Sequence, residues 1–180
     1  MAAASRIRFL RVAAFMLAHL TALAVRRARG VSKRAVVTKA DLKTNRHAVW
    51  NAFIDLIATS FEHELTPLQR SAQLVFRYES EVLNGGHLQF FVNSTGEDAD
   101  ETIAALDALG ASAQARVLEQ AVARWNSVPR PPADLRDYSA MERKHEFRCH
   151  DRAFSDCPSP LTEALERHFA EHEAEYIIRK

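Results

Sequence analysis

The chain has few cysteines: two among 180 residues, Cys149 and Cys157. Two cysteines cannot build the disulfide framework that holds many small secreted domains together. His145, His150 and Asp151 lie nearby, and a tetrahedral zinc site uses ligands of these types. However, the chain contains no compact Cys-x-x-Cys pair. We therefore interpret this stretch as a helix end with incidental thiols, and we expect neither a metal nor a cofactor.

Glycine is also scarce, with five residues in total. The sequence contains no glycine-rich phosphate-binding loop, no dinucleotide-binding fingerprint and no internal repeat. Strand-like alternation is missing too, whereas apolar residues recur at helical spacing. Apolar residues make up 47% of the chain, which is enough for one sizeable core. These patterns predict an all-α fold, a single compact domain of about five to seven helices over residues 41–180.

Capping signals indicate where the helices begin and end. Thr66 and Pro67 favour a helix start, and this helix should run to about Leu83. Asp98 and Glu101 have the spacing of a capping box, which predicts another start. Gly110 favours a helix stop. The remaining apolar stripes predict helices over about residues 47–61, 87–92, 134–150 and 160–178.

Residues 1–40 lack acidic residues and contain nine lysines and arginines. Within them, Val12 to Val25 form a mostly apolar run, shorter than the roughly 20 residues of a membrane span. Three interpretations stay open for this basic N-terminal extension: a signal peptide or membrane anchor, a basic amphipathic arm on a membrane or an acidic partner, and a disordered tail or misassigned translation start, for which Met16 is an alternative start. We expect a cytoplasmic protein, or an exported or membrane-attached one if the extension directs targeting.

The most unusual stretch is a set of polar residues around the only paired glycines. Glycine reaches positive φ without a steric penalty, so the pair is expected to break a helix and turn the chain. Polar groups near a core must find hydrogen-bond partners, which makes this stretch either architectural or functional. We call it the polar corner, and it consists of Glu79, Glu81, Asn84, Gly85, Gly86, His87, Gln89 and Asn93.

Glu79 falls in the middle of an apolar stripe on the helical wheel, and a buried carboxylate is costly unless it is paired or well hydrogen-bonded. It is either a structural clamp, bound to the N–H groups of the diglycine turn or to a buried arginine, or a general acid or base. No Ser/His/Asp or Cys/His set accompanies it, so we favour the clamp and expect no catalytic residues. The alternative is a small-ligand, peptide-binding or enzymatic pocket at the Asn84–Gly86 corner, lined by Glu79, His87 and Gln89.

Several short strings stand out between residues 45 and 178. They are Val49-Trp50-Asn51, Tyr78-Glu79-Ser80-Glu81-Val82, Asn84-Gly85-Gly86, Gln89-Phe90-Phe91, Asn93, Ala104-Ala105-Leu106, Leu109-Gly110-Ala111, Ala115 to Ala121, and Asp151-Arg152-Ala153-Phe154. Together they resemble the DMP-type DNA-mimic family of small bacterial proteins. The resemblance implies an all-α fold and homodimerisation. It also implies binding to a DNA-binding regulator in place of DNA, as in one studied branch of the family.

Residues 41–180 contain 15 basic and 23 acidic residues, a net charge of −8. Such a domain repels nucleic acid and attracts basic surfaces, and carboxylates on rigid helices can imitate phosphates. We therefore predict a non-enzymatic binding protein that engages a basic protein surface, in the narrowest form a helix-turn-helix transcriptional regulator. The expected partner-binding residues, at the start of one predicted helix and on the outer face of the last, are Glu97, Asp98, Asp100, Glu101, Glu163, Glu166 and Glu173.

Overall fold

The computed structural model describes residues 33–94, 96–127 and 145–180. Within these ranges the chain forms seven α-helices, one short 3-10 helix and two short strands, so the all-α prediction is confirmed. In chain order the elements are β1 (Ala35–Val37), α1 (Lys39–Thr44), α2 (Ala48–Thr59), the 3-10 helix (Glu62–Glu64), α3 (Pro67–Ser94), α4 (Ala99–Ala108), α5 (Ser112–Ser127), α6 (Arg148–Ser155), α7 (Leu161–Tyr176) and β2 (Ile177–Arg179).

The longest helix, α3, begins where the sequence predicts. Thr66 Oγ1 accepts a hydrogen bond from the backbone N–H of Gln69 at 3.2 Å, and Gln69 Oε1 accepts one from the N–H of Thr66 at 2.9 Å. The two residues form a reciprocal capping box, and Pro67 takes the first helical position, where no N–H is needed. Because α3 packs against α2, α4 and α7, it fixes the position of the other helices.

Aromatic contacts hold the inner face of α7 against the rest of the molecule. The Phe53 ring of α2 lies 4.6 Å from the ring of Phe169 and 4.8 Å from that of Tyr176, measured between centroids. Leu161 and Leu165 continue this buried face toward the start of the helix. Such aromatic pairs add about 0.5–1.5 kcal/mol each beyond their burial. The opposite face of α7 is left toward solvent.

The two strands are a correction to the sequence-based expectation, which contained none. β1 pairs in parallel with β2, with Ala35 opposite Ile177 and Val37 opposite Arg179. Strands of three residues are too short to show alternation, and these two lie at opposite ends of the described chain. The pairing places residues 35–40 in the folded part, which therefore begins before the expected boundary at residue 41.

Two predicted helix ends have different outcomes. Gly110 follows the end of α4 with φ +79°, and the N–H of Ala111 donates to the carbonyl of Leu106 at 2.8 Å, as expected for a glycine stop. In contrast, the capping box predicted at Asp98 and Glu101 is wrong, because the Asp98 side chain makes no cap hydrogen bond. Its carboxylate binds arginine side chains instead.

The run from Val12 to Val25 and most of the helix predicted over 134–150 lie outside the described residues. The interpretations of the N-terminal extension therefore stay predictions. Among the helices of the described ranges, none combines the length and the apolar character that crossing a bilayer requires.

A buried hydrogen-bonded pair holds the end of α7. The Tyr176 hydroxyl donates to the carbonyl of Leu68 at 3.2 Å, so it accepts a hydrogen bond from His168 Nε2 at 2.6 Å. Burial, assisted by the neighbouring His172, lowers the pKa of His168 to about 4. His168 is therefore neutral in the folded protein at neutral pH.

Acidification should destabilise the protein through His168. An unfolded histidine binds a proton near pH 6.5, whereas folded His168 does so near pH 4. Stability that is fully present above pH 6.5 is therefore lost as the pH falls toward 4, by up to about 1.4 kcal/mol per pH unit. His168→Gln retains a side-chain N–H donor and does not titrate. Urea unfolding between about pH 7 and pH 5 should show that the free energy of unfolding falls less in this variant than in the unsubstituted protein. Equal losses in the two proteins would contradict the assignment.

Candidate functional site

The helix α3 breaks at the diglycine, as the sequence predicts. Gly85 has φ −147° and Gly86 has φ +78° with ψ −177°, both outside the helical region. A Cβ on Gly86 would lie 2.8 Å from Asp151 Oδ2, and one on Gly85 would collide with the side chain of Gln89. The missing side chains therefore permit the turn and also leave room for a carboxylate from another helix.

Asp151 of α6 reaches over Gly86 and binds His87. Its Oδ1 accepts a hydrogen bond from the backbone N–H of His87 at 2.9 Å and lies 2.7 Å from His87 Nδ1. Because a carboxylate only accepts, Nδ1 carries the proton, and Nε2 accepts a hydrogen bond from the Tyr78 hydroxyl at 2.9 Å. This chain of hydrogen bonds joins both halves of α3 to α6.

The surroundings shift the pKa values of the groups at the two ends of this series of hydrogen bonds, the Asp151 carboxyl and the Tyr78 hydroxyl. Burial by itself raises the pKa of the Asp151 carboxyl, but the hydrogen bonds from the His87 side chain and backbone outweigh it and leave this pKa below its ordinary value. Burial raises the pKa of the Tyr78 hydroxyl well above its ordinary value. Tyr78 and His87 are both completely buried. Because both rings are enclosed, this series of hydrogen bonds holds the polar corner together through the interior, while the Asp151 carboxylate stays partly exposed.

Glu81 forms a second connection across the break. Its Oε2 accepts hydrogen bonds from Gln89 Nε2 and Asn93 Nδ2, each at 2.7 Å. Glu81 precedes the diglycine and its two donors follow it, so the carboxylate holds the two halves of α3 at a fixed angle. The cavity beside Glu81 and Asn93 has a volume of about 10 Å³, room for about one water molecule.

Among the described residues, Glu79 binds neither the diglycine turn nor an arginine, which corrects the partners expected from the sequence. Its carboxylate accepts hydrogen bonds from the backbone N–H of Thr162 at 3.2 Å and from the Thr162 hydroxyl at 3.3 Å. Thr162 lies in the first turn of α7, where Pro160 supplies no side-chain cap. Burial raises the pKa of Glu79, while these hydrogen bonds oppose the increase. Glu79 thus caps α7 from a neighbouring helix.

The pocket that was the alternative interpretation of the polar corner stays a prediction. Glu79 binds to α7, His87 is enclosed, and Gln89 binds Glu81. Asn84 is exposed at the break itself. Among the described residues, these side chains therefore have separate hydrogen-bond partners.

Arg70 accounts for two of the expected partner-binding acids. Its side chain is only 7% exposed, and Nη2 lies 3.1 Å from Asp98 Oδ1 and 3.4 Å from Glu101 Oε2. Arg77 approaches the second Asp98 oxygen at 3.5 Å. A buried guanidinium is costly without counter-ions, so Asp98 and Glu101 stabilise the interior. Their expected role as partner-binding anions stays a prediction, for side chains that are ion-paired and only partly exposed.

Glu173 is also paired. Its two carboxylate oxygens lie 2.7 and 3.0 Å from Nε and Nη2 of Arg179, the last residue of β2. The hydrogen bonds from Arg179 lower the pKa of Glu173. This bidentate pair ties the outer face of α7 to the terminal strand, and it removes one more carboxylate from the expected set.

The other four expected carboxylates are exposed. Glu163 and Glu166 lie on α7, and no ion pair in the described ranges involves them. Glu97 and Asp100 line a groove of about 460 Å³ between α4 and α5, whose floor includes Trp125. The two pairs lie on different elements, one at the start of α4 and the other on α7.

Sequence reasoning missed two residues that the structure places at the polar corner. Asp151 was noticed only among the ligand types near Cys149 and in the string Asp151-Arg152-Ala153-Phe154, and Thr162 was not noticed at all. The clue to Asp151 was the glycine Gly86 directly before His87. A buried histidine needs a hydrogen-bond acceptor, and the glycine leaves room for one. Nothing in one sequence shows that the acceptor lies 64 residues away from His87.

Comparison with known proteins gives one positive result. The model of the family described as DMP19-like protein matches residues 63–178, more than half of the chain. No curated protein matches the chain, and no solved structure does.

Replacing Gly86 by alanine should destabilise the fold far more than replacing Gly110. Both glycines have positive φ, at +78° and +79°, but nothing lies within 4 Å of a methyl group added at Gly110. Gly110→Ala should cost about 1 kcal/mol of backbone strain. Gly86→Ala displaces Asp151 as well, which adds about 1.5–3 kcal/mol for a lost charged hydrogen bond. The free energies of unfolding in urea compare the two variants directly, and equal losses would refute the close approach of Asp151.

Proposed function

Because the chain belongs to the DMP19-like protein family, we propose that it is a non-enzymatic binding protein whose acidic surface engages a basic protein surface. The narrowest form of the proposal is mimicry of DNA toward a DNA-binding transcriptional regulator. The outer face of α7 is the surface that we assign to this contact. Self-association into a homodimer is compatible with it and stays a prediction.

The observation that carries the proposal is the contrast between the two faces of α7. The inner face is anchored by buried residues, including Leu165 and Phe169. Glu163, Glu166 and Glu171 are exposed on the outer side, and no ion pair in the described ranges involves them. A fixed helix with solvent-facing carboxylates loses little side-chain or backbone freedom on binding, which favours association with a cationic partner.

The spacing of these carboxylates suits a partner that reads phosphates. Along a helix that rises about 1.5 Å per residue, Glu163 and Glu166 are separated by about 4.5 Å and Glu166 and Glu171 by about 7.5 Å. Phosphates recur at about 3.4 Å of rise per strand, so arginine and lysine side chains that track a backbone can reach both kinds of anion. Arg167 lies among these residues and weakens the field. The surface is therefore a moderate attractant, and its affinity should depend strongly on salt.

The acids at the start of α4 contribute less to this proposal than the sequence implied. Asp98 and Glu101 bind Arg70, so Glu97 and Asp100 are the exposed pair there. A ligand pocket at Asn84–Gly86 stays a prediction, and the separate partners of the corner side chains give it no support.

Charge reversal on α7 should abolish capture of a basic partner without unfolding the protein. The immobilised full chain is used to capture proteins from a bacterial lysate at about 50 and 300 mM salt, with duplex DNA as competitor. A DNA-binding regulator that is captured at low salt and displaced by the duplex is the expected result. Glu163→Lys with Glu166→Lys replaces two attractions by repulsions, so its affinity for that regulator should fall at least about tenfold.

The matched comparison uses two single charge reversals, one on α7 and one on α2. Glu166→Lys and Asp55→Lys change the charge equally, and both residues are exposed, but Asp55 lies on α2. Only Glu166→Lys should weaken binding. An equal effect of both variants would indicate a contribution of net charge alone and would remove α7 from the proposal, as would capture that duplex DNA leaves unchanged.

A further inference from the structure

The groove between α4 and α5 shares no lining residue with the polar corner or with α7. Its volume of about 460 Å³ falls within the range of ligand sites, about 300–1,000 Å³. Gly96, just before α4, comes close to Trp125, near the end of α5: a Cβ added to Gly96 would lie 3.2 Å from Trp125 Nε1. The start of α4 therefore lies beside the end of α5, and the groove follows two antiparallel helices.

The floor of the groove is apolar and includes an indole. The Trp125 ring stacks on the Phe91 ring, with centroids 5.0 Å apart and an angle of 10° between the planes. Both rings line the groove, together with Ile103 of α4 and Val122 of α5. Among aromatic side chains, tryptophan attracts cations most strongly, and apolar surface accommodates the methylene stem of a long basic side chain.

Carboxylates line the groove at two places. Glu97 and Asp100 belong to the end where Gly96 meets Trp125, whereas Glu119 lies further along α5. Six residues separate Glu119 from Trp125, which is about 9 Å along a helix. A carboxylate has about four acceptor positions, so hydrogen bonds within the protein still leave positions for a ligand. Among the described residues, no lysine or arginine lines the groove.

We propose that this groove binds an extended peptide of a protein partner that carries two arginines separated by one residue, an Arg-x-Arg sequence. One guanidinium lies against the Trp125 indole and pairs with Glu97 or Asp100. The second pairs with Glu119. The site uses none of the α7 carboxylates, so it goes beyond the proposed function and does not depend on it.

The spacing of the groups favours a peptide over a small cation. In an extended peptide, residues two apart point to the same side and lie about 6.6 Å from each other. Two long side chains can therefore reach carboxylates that are about 9 Å apart along the groove, whereas one compact amine reaches a single end. Arginine suits the aromatic end better than lysine, because its planar guanidinium stacks on an indole and binds two carboxylate oxygens at once.

The nearest cation in the sequence is already paired. Arg124 precedes Trp125, but it is not among the residues that line the groove, and its Nη2 lies 3.9 Å from Glu146 Oε2. The peptide contacts are at the surface, where each ion pair contributes little. We therefore expect a dissociation constant of about 0.1–1 mM for a short peptide.

Titration of the full chain with a short peptide, followed by NMR, tests the site. The probe is acetyl-Gly-Arg-Ala-Arg-Gly-amide. The indole N–H of Trp125 and the amides of residues 97–103 and 119–126 should shift, with a dissociation constant of about 0.1–1 mM. The matched peptide carries citrulline at both arginine positions, which replaces each guanidinium by a neutral group of similar shape. It should bind at least about tenfold more weakly.

Two exposed alanines provide matched variants of the protein. Ala123 lines the groove on α5, and Ala58 lies on α2. Ala123→Lys places a competing cation in the groove, so it should weaken binding of the arginine peptide at least about fivefold, whereas Ala58→Lys should change it less than about twofold. Glu97→Gln with Glu119→Gln removes one charge from each end and should weaken binding at least about tenfold.

Several outcomes would overturn the proposal. They are the absence of shifts at the groove up to about 5 mM peptide, shifts centred on another face, equal binding of the arginine and citrulline peptides, and equal effects of Ala123→Lys and Ala58→Lys. Arginine amide that binds as tightly as the peptide would indicate a small-molecule site instead. If the peptide binds here while charge reversal on α7 leaves capture unchanged, the proposed function fails and this inference stands. In the converse case only this inference fails.

Discussion

The structure depends on one buried interaction, the hydrogen-bond chain from Asp151 through His87 to Tyr78. The imidazole and the phenol are completely buried, where an unpaired polar group would be costly, and the carboxylate that binds the imidazole is partly exposed. Each satisfies the next, since Asp151 accepts from Nδ1 and Tyr78 donates to Nε2. The chain crosses from α6 to both sides of the break in α3, and it exists only because Gly86 has no side chain. These hydrogen bonds therefore hold the diglycine turn in one conformation.

The polar side chains at the break in α3 are occupied by each other and by neighbouring helices. The exposed carboxylates of the proposed surface lie on α7. The helix α7 packs against α3, and the carboxylate of Glu79 on α3 caps the start of α7 across that contact. Arg70 and Arg179 then bind acids that sequence reasoning had assigned to the partner surface. The carboxylates that stay exposed on α7 are those with no structural partner in the described ranges. These exposed carboxylates are the ones that the fold leaves for the proposed contact with a basic partner.

The sequence was sufficient for features that local physics determines. Helix periods, the helix start at Thr66 and Pro67, the break at the diglycine and the stop at Gly110 each depend on residues within one turn of each other. Features that depend on distant residues were missed or misplaced: the pairing of Ala35–Val37 with Ile177–Arg179, the Asp151 partner of His87 and the role of Asp98. For Asp98 the local rule predicts a cap, but the buried guanidinium of Arg70 competes for the same carboxylate, and charge pairing in the interior prevails.

The central claim is that Asp151, His87 and Tyr78 act as one unit that holds the fold, and a double-mutant cycle tests it most directly. Asp151→Ala, Tyr78→Phe and the double variant are compared by their free energies of unfolding in urea. Because the bond from His87 to Asp151 makes Nε2 a stronger acceptor for Tyr78, the two changes should be non-additive by at least about 1 kcal/mol. Additivity within about 0.3 kcal/mol would show that the two bonds stabilise the protein independently and would contradict the account.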